Sequence, residues 1–354
     1  NIGIGKADNY WTGLPTSETA KQGPAFWVLA VQDAGWEHVK KFDIGVDLSL
    51  FNQVNITFDY FHDVRNRILM ARASWPVMLG YWGSKPWSNI GEVVNQGFEL
   101  SVNWTKQFGK DLMVDFRGNF TYNQNEHKYV DEPNYPYVWQ TDTGKPLNTY
   151  KGYIAEGLFS SEEEIANSPN QGNVLPGNIK YKDQNGDKKI DGEDRVVLNR
   201  KIPVNFGLNL SFGYKDFDFS MNMYGKLNTK KYLQGYEGWA FYLTDNARPM
   251  HLDAWSESNP NASYPRLTLS NTSNDYDSRY NSFWLRTADY LKIQNIQIGY
   301  TIPKSVLERV NIKYLRLYLS GQNLATITGY DGFDPEGGWY PLSRTFSFGF
   351  NLQF

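Results

Sequence analysis

Several features that mark other classes of protein are missing from this sequence. It has no cysteine in 354 residues, which excludes disulfides, thiolate metal sites and redox catalysis through sulfur. No run of about 18 apolar residues occurs, so a transmembrane helix is excluded as well. The net charge of −3 and the pI of 5.9 give no reason to expect nucleic acid as a partner.

The two ends of the sequence are unusual for a soluble domain. The start, "NIGIGKADNYW", has no charged segment followed by an apolar one, so we expect no signal peptide. We therefore expect the chain to be the rear part of a longer protein. The end, "RTFSFGFNLQF", alternates large apolar residues up to Phe354, whereas soluble domains usually end in a polar tail.

Strand-like alternation of apolar and polar residues is the dominant pattern of the sequence. Large apolar residues recur at every second position in "FDIGVDLSL", "VNITFDY", "FELSVNW", "LMVDFRGNFTY", "FGLNLSFGY", "FDFSMNM" and "KYLRLYLS", which is typical of strands with one apolar face. In "YLKIQNIQIGY" the phase slips near Gln294, which predicts a β-bulge. With the closing strand and a remnant at Ile2 to Ile4, the sequence predicts roughly ten strands.

The lengths of the connections between these strands favour a β-barrel over a β-sandwich. A soluble β-sandwich would also alternate, but here short links at 51–54, 108–111 and 215–217 take turns with long ones. The long links cover 73–93, 129–201, 227–282 and 328–343. Short periplasmic turns and long extracellular loops are the rule in a transmembrane antiparallel β-barrel. In a closed barrel the last strand must pair with the first, which explains a chain that ends in a strand.

Four stretches resemble one known family. They are "GWEHVKKFDIGVDLSLF", "YKGYIAEGLFSSEEEIANSP", "GNIKYKDQNGDKKIDGEDRVVLN", and "YLKIQNIQIGYTIPKSV" together with the terminus "YPLSRTFSFGFNLQF". In this order they are similar to the C-terminal half of SusC/RagA-type TonB-dependent transporters from the outer membrane of Bacteroidota. The resemblance spans the chain from about residue 35 to its end.

This resemblance implies a fold and a function. The fold is a barrel of about 22 strands, of which residues 1–354 would supply about the last ten. The N-terminal plug, the TonB box and the signal peptide would lie outside this chain. The function is import of oligosaccharides, or of peptides in some members, with energy relayed by TonB-ExbB-ExbD. A SusD-like surface lipoprotein would act as the lid, and outer-membrane lipids would surround the barrel.

Two other functions remain open at this point. A passive porin would show the same strand pattern without a plug. A soluble carbohydrate-binding β protein is a more distant alternative, and it would extract in buffer without detergent. An enzyme finds little support, because the four histidines are scattered and no hydrolase, Walker or zincin motif occurs.

"DQNGDKKIDGED" is the sharpest local motif and predicts a calcium site. Alternating oxygen ligands in a tight loop suit a cation that takes about six to eight oxygens. Two departures from the EF-hand pattern are Lys188 at the usual glycine position and aspartate at the last position. A hydrated acidic turn is the plain alternative. The predicted ligands are Asp183, Asn185, Asp187, Lys189 (through its carbonyl), Asp191 and Asp194.

The long loops are rich in aromatic residues. Flat aromatic faces can stack on sugar rings, but tyrosine and tryptophan also dominate packing between loops and against partner proteins. The candidate substrate-binding residues are Trp82, Trp87, Trp139 and Trp239. In the same loops, "SSEEEIANSP" predicts one short helix with a capping box formed by Ser161 and Glu164.

Overall fold

The computed structural model describes most of the chain. The described residues are 3–10, 21–28, 31, 34–76, 85–199, 201–243, 245–268, 280–308, 311–337 and 342–354, with the backbone alone for 3–10 and 21–28. Strands dominate them, as the sequence predicted.

The strands fall into long and short groups. In chain order they are β1 Gly3–Tyr10, β2 Lys21–Val28, β3 His38–Leu50, β4 Val54–Ala71, β5 Trp87–Phe108, β6 Leu112–Tyr129, β7 Lys151–Gly152, β8 Ala155–Leu158, β9 Ile179–Tyr181, β10 Val196–Val197, β11 Val204–Tyr214, β12 Phe217–Leu227, β13 Lys230–Tyr232, β14 Leu285–Thr287, β15 Tyr290–Thr301, β16 Tyr314–Thr328 and β17 Thr345–Gln353. The α-helices are α1 Glu162–Ala166 and α2 Lys304–Leu307, and short 3-10 turns span Val138–Gln140, Gly192–Asp194, Gly235–Glu237 and Pro249–Asp253.

Nine of the strands form one sheet. Its order is β17-β16-β15-β12-β11-β6-β5-β4-β3, so each long strand pairs with its neighbours among the long strands of the chain. The pairs from β6 to β17 are antiparallel. Two-stranded sheets join β1 to β2, β7 to β10, β8 to β9 and β13 to β14. The short strands of the loops were not predicted from the sequence.

Residues in the left-handed region make the tight turns of the large sheet. Phe51 and Asn52 have φ of 55° and 53°, and Gln53 N–H donates to the Leu50 carbonyl at 3.0 Å. Two successive positive φ values match the right-handed twist of hairpin strands. Lys215, with φ of 53°, turns β11 into β12. The predicted short links are confirmed.

The bulge predicted near Gln294 is confirmed. The pairing of β15 with β12 shifts where Met223 meets Ile293 after Asn222 meets Asn295. The pairing of β15 with β16 also shifts at this place, between Ile293 and Asn295. Because one extra residue is accommodated there, the apolar positions before and after the slip lie on the same face.

The chain divides into two compact units. The first comprises Asn1–Phe42, Phe61–Gln96 and Gln124–Asn148, and the second comprises Asp43–Tyr60, Gly97–Asn123 and Thr149–Phe354. In the first unit the buried carboxylate of Asp131 accepts from the Ser74 N–H at 2.9 Å and from its hydroxyl at 2.8 Å, and lies 3.4 Å from Arg72. These bonds join the end of β4 to the segment after β6.

The second unit contains a hydrophobic core built from its long connections. This core is called the loop core below. Its buried members come from residues 153–190 and 232–288 and from Tyr330, and Trp284 is fully buried among them. The Trp284 ring packs edge to face against Tyr264 at 5.5 Å and Phe283 at 4.8 Å. The members are Tyr153, Ile179, Tyr181, Ile190, Tyr232, Leu233, Trp239, Tyr264, Trp284, Leu285, Ala288 and Tyr330.

Helix α1 forms where the sequence predicts it, with a modified cap. Ser161 accepts from the Glu164 N–H at 3.2 Å, as a capping box requires. The Glu164 carboxylate bonds to the Ser160 N–H at 2.8 Å instead of to Ser161, and to Lys180 at 2.9 Å. The Ser160 N–H and the Lys180 ammonium lower the pKa of Glu164 to about 2, so the cap keeps its charge at neutral pH.

Candidate functional site

One face of the large sheet is apolar and uncovered in the second unit. Val114, Phe212, Phe219, Ile298, Leu319 and Phe348 are register partners that form one row across six strands. Leu319 is 53% exposed and Phe348 is 71% exposed. In the described part of the second unit, no further large sheet covers this row. A contiguous exposed apolar face of this extent marks contact with a membrane or a partner.

The opposite face is polar and is lined by amides. Moving three residues along each strand reaches this opposite face at the row Arg117, Asn209, Asn222, Asn295 and Gln322. Asn222 donates from its amide to the carbonyl oxygen of the Asn209 side chain. These residues line a cavity of about 860 Å³. Each amide offers both donors and an acceptor, so the face can bind hydroxyl-bearing or amide-bearing compounds.

Two pairs of opposite charges lie on this polar face. Asp115 accepts from Arg117 Nε at 3.0 Å and from the Thr105 hydroxyl at 2.7 Å. Asp218 accepts from Arg316 Nε at 2.8 Å, near the turn that joins β11 to β12. Mutual pairing leaves the wall of the large cavity close to neutral, which suits an uncharged ligand.

A second cavity lies near the other end of the same strands. It has a volume of about 390 Å³, and residues 335–336 form part of its lining. Asn205, Tyr224 and Lys226 line it from the sheet. The segment after β16 therefore returns to the polar face of the sheet.

The tryptophans predicted to bind substrate lie in different environments. Trp239 is buried in the loop core, where its ring meets Tyr242 at 5.5 Å. Trp139 stacks on Tyr137, with ring centres 4.4 Å apart and planes inclined by 7°. Trp87 is exposed and is the first residue of β5 instead of a loop residue. Trp82 lies outside the described residues. Their contact with substrate stays a prediction.

The acidic loop predicted to bind calcium is a tight turn closed by its own amides. Asp183 accepts from the N–H of Gly186 at 2.6 Å and of Lys188 at 2.8 Å. Lys188 has φ of 67°, the left-handed value that favours the glycine of an EF-hand. The lysine therefore makes the turn that the pattern assigns to glycine.

The other carboxylates of this loop are also engaged within it. Buried Asp194 accepts from the N–H of Gln184 and of Asp191, both at 2.8 Å. The Lys189 ammonium lies 2.7 Å from Asp191 and lowers the pKa of that carboxyl. Within the described chain, no three acidic or histidine side chains are grouped so that they could hold a metal ion. The calcium site stays a prediction.

The sequence reasoning missed the residues that hold the segment after β16. Lys292 is buried and pairs with Asp334 at 3.0 Å and with Glu336 at 2.8 Å. The available signal was a lysine at a polar position of an otherwise well-patterned strand. Its two partners lie 42 and 44 residues further along the chain, and no local pattern connects them to it.

The helices of the described residues are all too short or too polar to cross a membrane. A nine-stranded sheet with one apolar and one amide-lined face, joined by short turns and long connections, is characteristic of the β-barrel proteins of the outer membrane. The chain belongs to the family described as TonB dependent receptor-like, beta-barrel, which matches residues 7–324. This is a family of receptors and transporters and not of enzymes.

Curated relatives carry the same assignment. A TonB-dependent receptor of Formosa agariphila is 28% identical over 356 residues, covering 90% of this chain and 34% of that protein. The TonB-dependent receptor SusC of Bacteroides thetaiotaomicron is 28% identical over 342 residues, covering 90% of this chain and 32% of that protein. The chain therefore spans about a third of the length of these relatives.

Solved structures share the fold. The RagAB peptide transporter matches with a TM-score of 0.72 at 20% identity, covering 100% of this chain and 38% of that chain. RagAB in its closed-closed state matches with a TM-score of 0.70 at 21% identity. The predicted SusC/RagA-type resemblance and the all-β barrel class are confirmed.

Proposed function

We propose that the protein containing this chain imports oligosaccharides across the outer membrane by TonB-dependent active transport. One observation carries the proposal: a single sheet has an uncovered apolar face, and its opposite face forms an amide-rich cavity whose two charged residues, Asp115 and Arg117, pair with each other. In a barrel the first would meet lipid and the second would line the path of the cargo. Family membership supplies the link to TonB.

The partners follow from the same proposal. A SusD-like surface lipoprotein would cover the end with the long connections, and TonB-ExbB-ExbD would act through a part of the protein outside this chain. Two features support a docking role for the long connections. They contain a packed core of their own, and exposed leucines such as Leu243 and Leu252 lie in the same connections.

An oligopeptide cargo is the second candidate. RagAB, which shares the fold, is a peptide importer. Asparagine and glutamine side chains can pair with a peptide backbone as well as with sugar hydroxyls. The choice between the two cargos therefore needs a direct uptake measurement.

Energised uptake by whole cells tests the proposal. Cells making the full-length protein are given labelled neutral oligosaccharides or labelled uncharged peptides, with and without a protonophore and with tonB deleted. We expect oligosaccharide uptake that stops in both de-energised conditions. Peptide uptake with the same energy dependence would show that the cargo is a peptide and not an oligosaccharide. Uptake that persists without TonB would instead show a passive porin.

We also propose that the acidic loop binds Ca²⁺. The donor set of carboxylate and amide oxygens suits a hard cation, and each oxygen that accepts one N–H keeps a second lone pair. Because these oxygens accept hydrogen bonds from backbone amides of the same loop, binding of Ca²⁺ would need a rearrangement within the loop.

Limited proteolysis with and without Ca²⁺ tests this proposed site. Adding Ca²⁺ to about 1 mM, in the range of extracellular calcium modules, should slow proteolytic cleavage within residues 183–194, and chelation should restore it. Asp187→Ala should abolish the protection, whereas Glu162→Ala in helix α1 should retain it. Equal cleavage with calcium and with chelator would refute the site.

A further inference from the structure

A short segment after β16 is held against the polar face of the sheet. This segment, residues 330–336, is called the strap below. Asp334 accepts from Lys292 Nζ with both carboxylate oxygens, at 3.0 and 3.1 Å. Glu336 accepts from Lys292 Nζ and from the Tyr224 hydroxyl, each at 2.8 Å. Lys292 and Tyr224 belong to β15 and β12, so two strands hold the strap.

The other end of the strap is fixed to the loop core. The Tyr330 ring is a member of that core, and its hydroxyl donates to Glu237 at 2.8 Å. Lys231 Nζ donates to the same Glu237 carboxylate at 2.8 Å and to the Asp334 carbonyl at 2.9 Å. The strap thus runs from the loop core to the polar face, with charged contacts at both ends.

The contact made by Lys292 differs from an ordinary surface ion pair. Lys292 is only 4% exposed, so its ammonium depends on the strap carboxylates in place of water. Burial raises the pKa of Glu336, but the Lys292 ammonium and the Tyr224 hydroxyl outweigh burial and lower it. The buried Lys292 ammonium therefore cannot easily replace Asp334 or Glu336 with water.

The strap also forms a wall of the smaller cavity. Pro335 and Glu336 line it from one side, and Thr121 and Tyr224 line it from the sheet. The larger cavity is lined by the sheet and contains no strap residue. At one end of the strands the strap therefore covers part of the polar face. At the other end the polar face is not lined by the strap.

We propose that Lys292 is a positioning residue that fixes the strap, and that the fixed strap limits the size of compound that can reach the polar face beneath it. The proposal rests on the proposed function in one respect, since the compound limited in this way would be the cargo. Lys292 acts through Asp334 and Glu336 and needs no contact with the cargo itself.

Cysteine labelling in the full-length protein tests the size limit; this chain has no cysteine, and any cysteine elsewhere in the protein is first replaced by serine. Thr121→Cys places a thiol beneath the strap, and Ser220→Cys places one in the larger cavity. We expect a bulky polyethylene-glycol maleimide to label the first at least tenfold more slowly than a small maleimide does. Lys292→Met should remove this difference at Thr121→Cys and leave labelling at Ser220→Cys unchanged.

Hydrogen exchange measures the positioning step separately. In Lys292→Met the amides of residues 330–336 should exchange at least tenfold faster, whereas Lys292→Arg should retain slow exchange. Lys230→Met, whose lysine bonds to Thr287 instead, should also retain it. Unchanged exchange in Lys292→Met would overturn the positioning role. Faster exchange with an unchanged size limit would overturn the role of the strap in access.

Two further arrangements keep the test decisive. If Lys292→Met fails to fold, the double variant Asp334→Asn with Glu336→Gln removes the negative charges of the same contacts from outside the strands and takes its place. Labelling and exchange need neither TonB nor a known cargo. A failure of TonB-dependent uptake would thus remove the import proposal alone, and a failure of these measurements would remove the strap proposal alone.

Discussion

Replacing Leu319 with arginine is expected to prevent assembly of the protein in the outer membrane. Leu319 is 53% exposed on the apolar face and pairs with Ile298 and Phe348. A charge on the lipid-facing side of a barrel costs about 2–4 kcal/mol at the bilayer midplane, and the transfer energy of the leucine, about 1.5–3 kcal/mol, is lost as well. The amount of heat-modifiable protein on a gel measures assembly.

The neighbouring residue provides a matched control. Ser320→Arg adds the same charge to the same strand, but its register partners Gln297 and Ser347 belong to the polar face. We expect Ser320→Arg to assemble normally. Equal loss of both variants would show that β16 tolerates no arginine on either face, and normal assembly of Leu319→Arg would contradict a lipid-facing row.

Replacing Trp284 with alanine is expected to unfold the loop core while the large sheet persists. Its side chain has 0% exposure and contacts Tyr264 and Phe283. Tryptophan-to-alanine changes at such positions cost about 3–5 kcal/mol through lost burial and the cavity that remains. Limited proteolysis should cut residues 150–289 rapidly, while the gel shift of the intact sheet on heating stays the same.

An exposed leucine in the same connections is the control for this change. Leu252 is 88% exposed, and Leu252→Ala should change stability by no more than about 0.5 kcal/mol, as is usual for surface sites. Its proteolysis pattern should match that of the unmodified protein. Loss of the heat-dependent gel shift in Trp284→Ala would show instead that the sheet depends on the loop core.

Local patterns were enough to predict the large sheet. Alternation located nine of the long strands and assigned their faces, and the phase slip located the bulge at Gln294. The short gap between two strand patterns located the hairpin at Phe51 and Asn52, although the positive φ of a phenylalanine was not foreseeable. These predictions succeeded because side chains alternate between the two faces of a strand. Each prediction therefore needed only a short window of sequence.

The loops show where such reasoning reaches its limit. Abundant aromatics suggested a surface for sugars, but the structure packs Trp239 and Tyr264 into a shared core. An aromatic loop residue looks the same in sequence whether it is buried against distant loops or free to meet a ligand. For Trp139, stacked on its near neighbour Tyr137, a contact with cargo stays a prediction.

The sequence by itself determined which side of each long strand is apolar, where the tight turns fall and which family the chain resembles. Only the tertiary structure decided that three long connections share one core and that Lys292 is buried between Asp334 and Glu336. The physical reason is the range of the interactions. Strand periodicity is fixed by neighbouring residues, whereas a buried ion pair or a loop core forms only when segments far apart in the chain exclude water together.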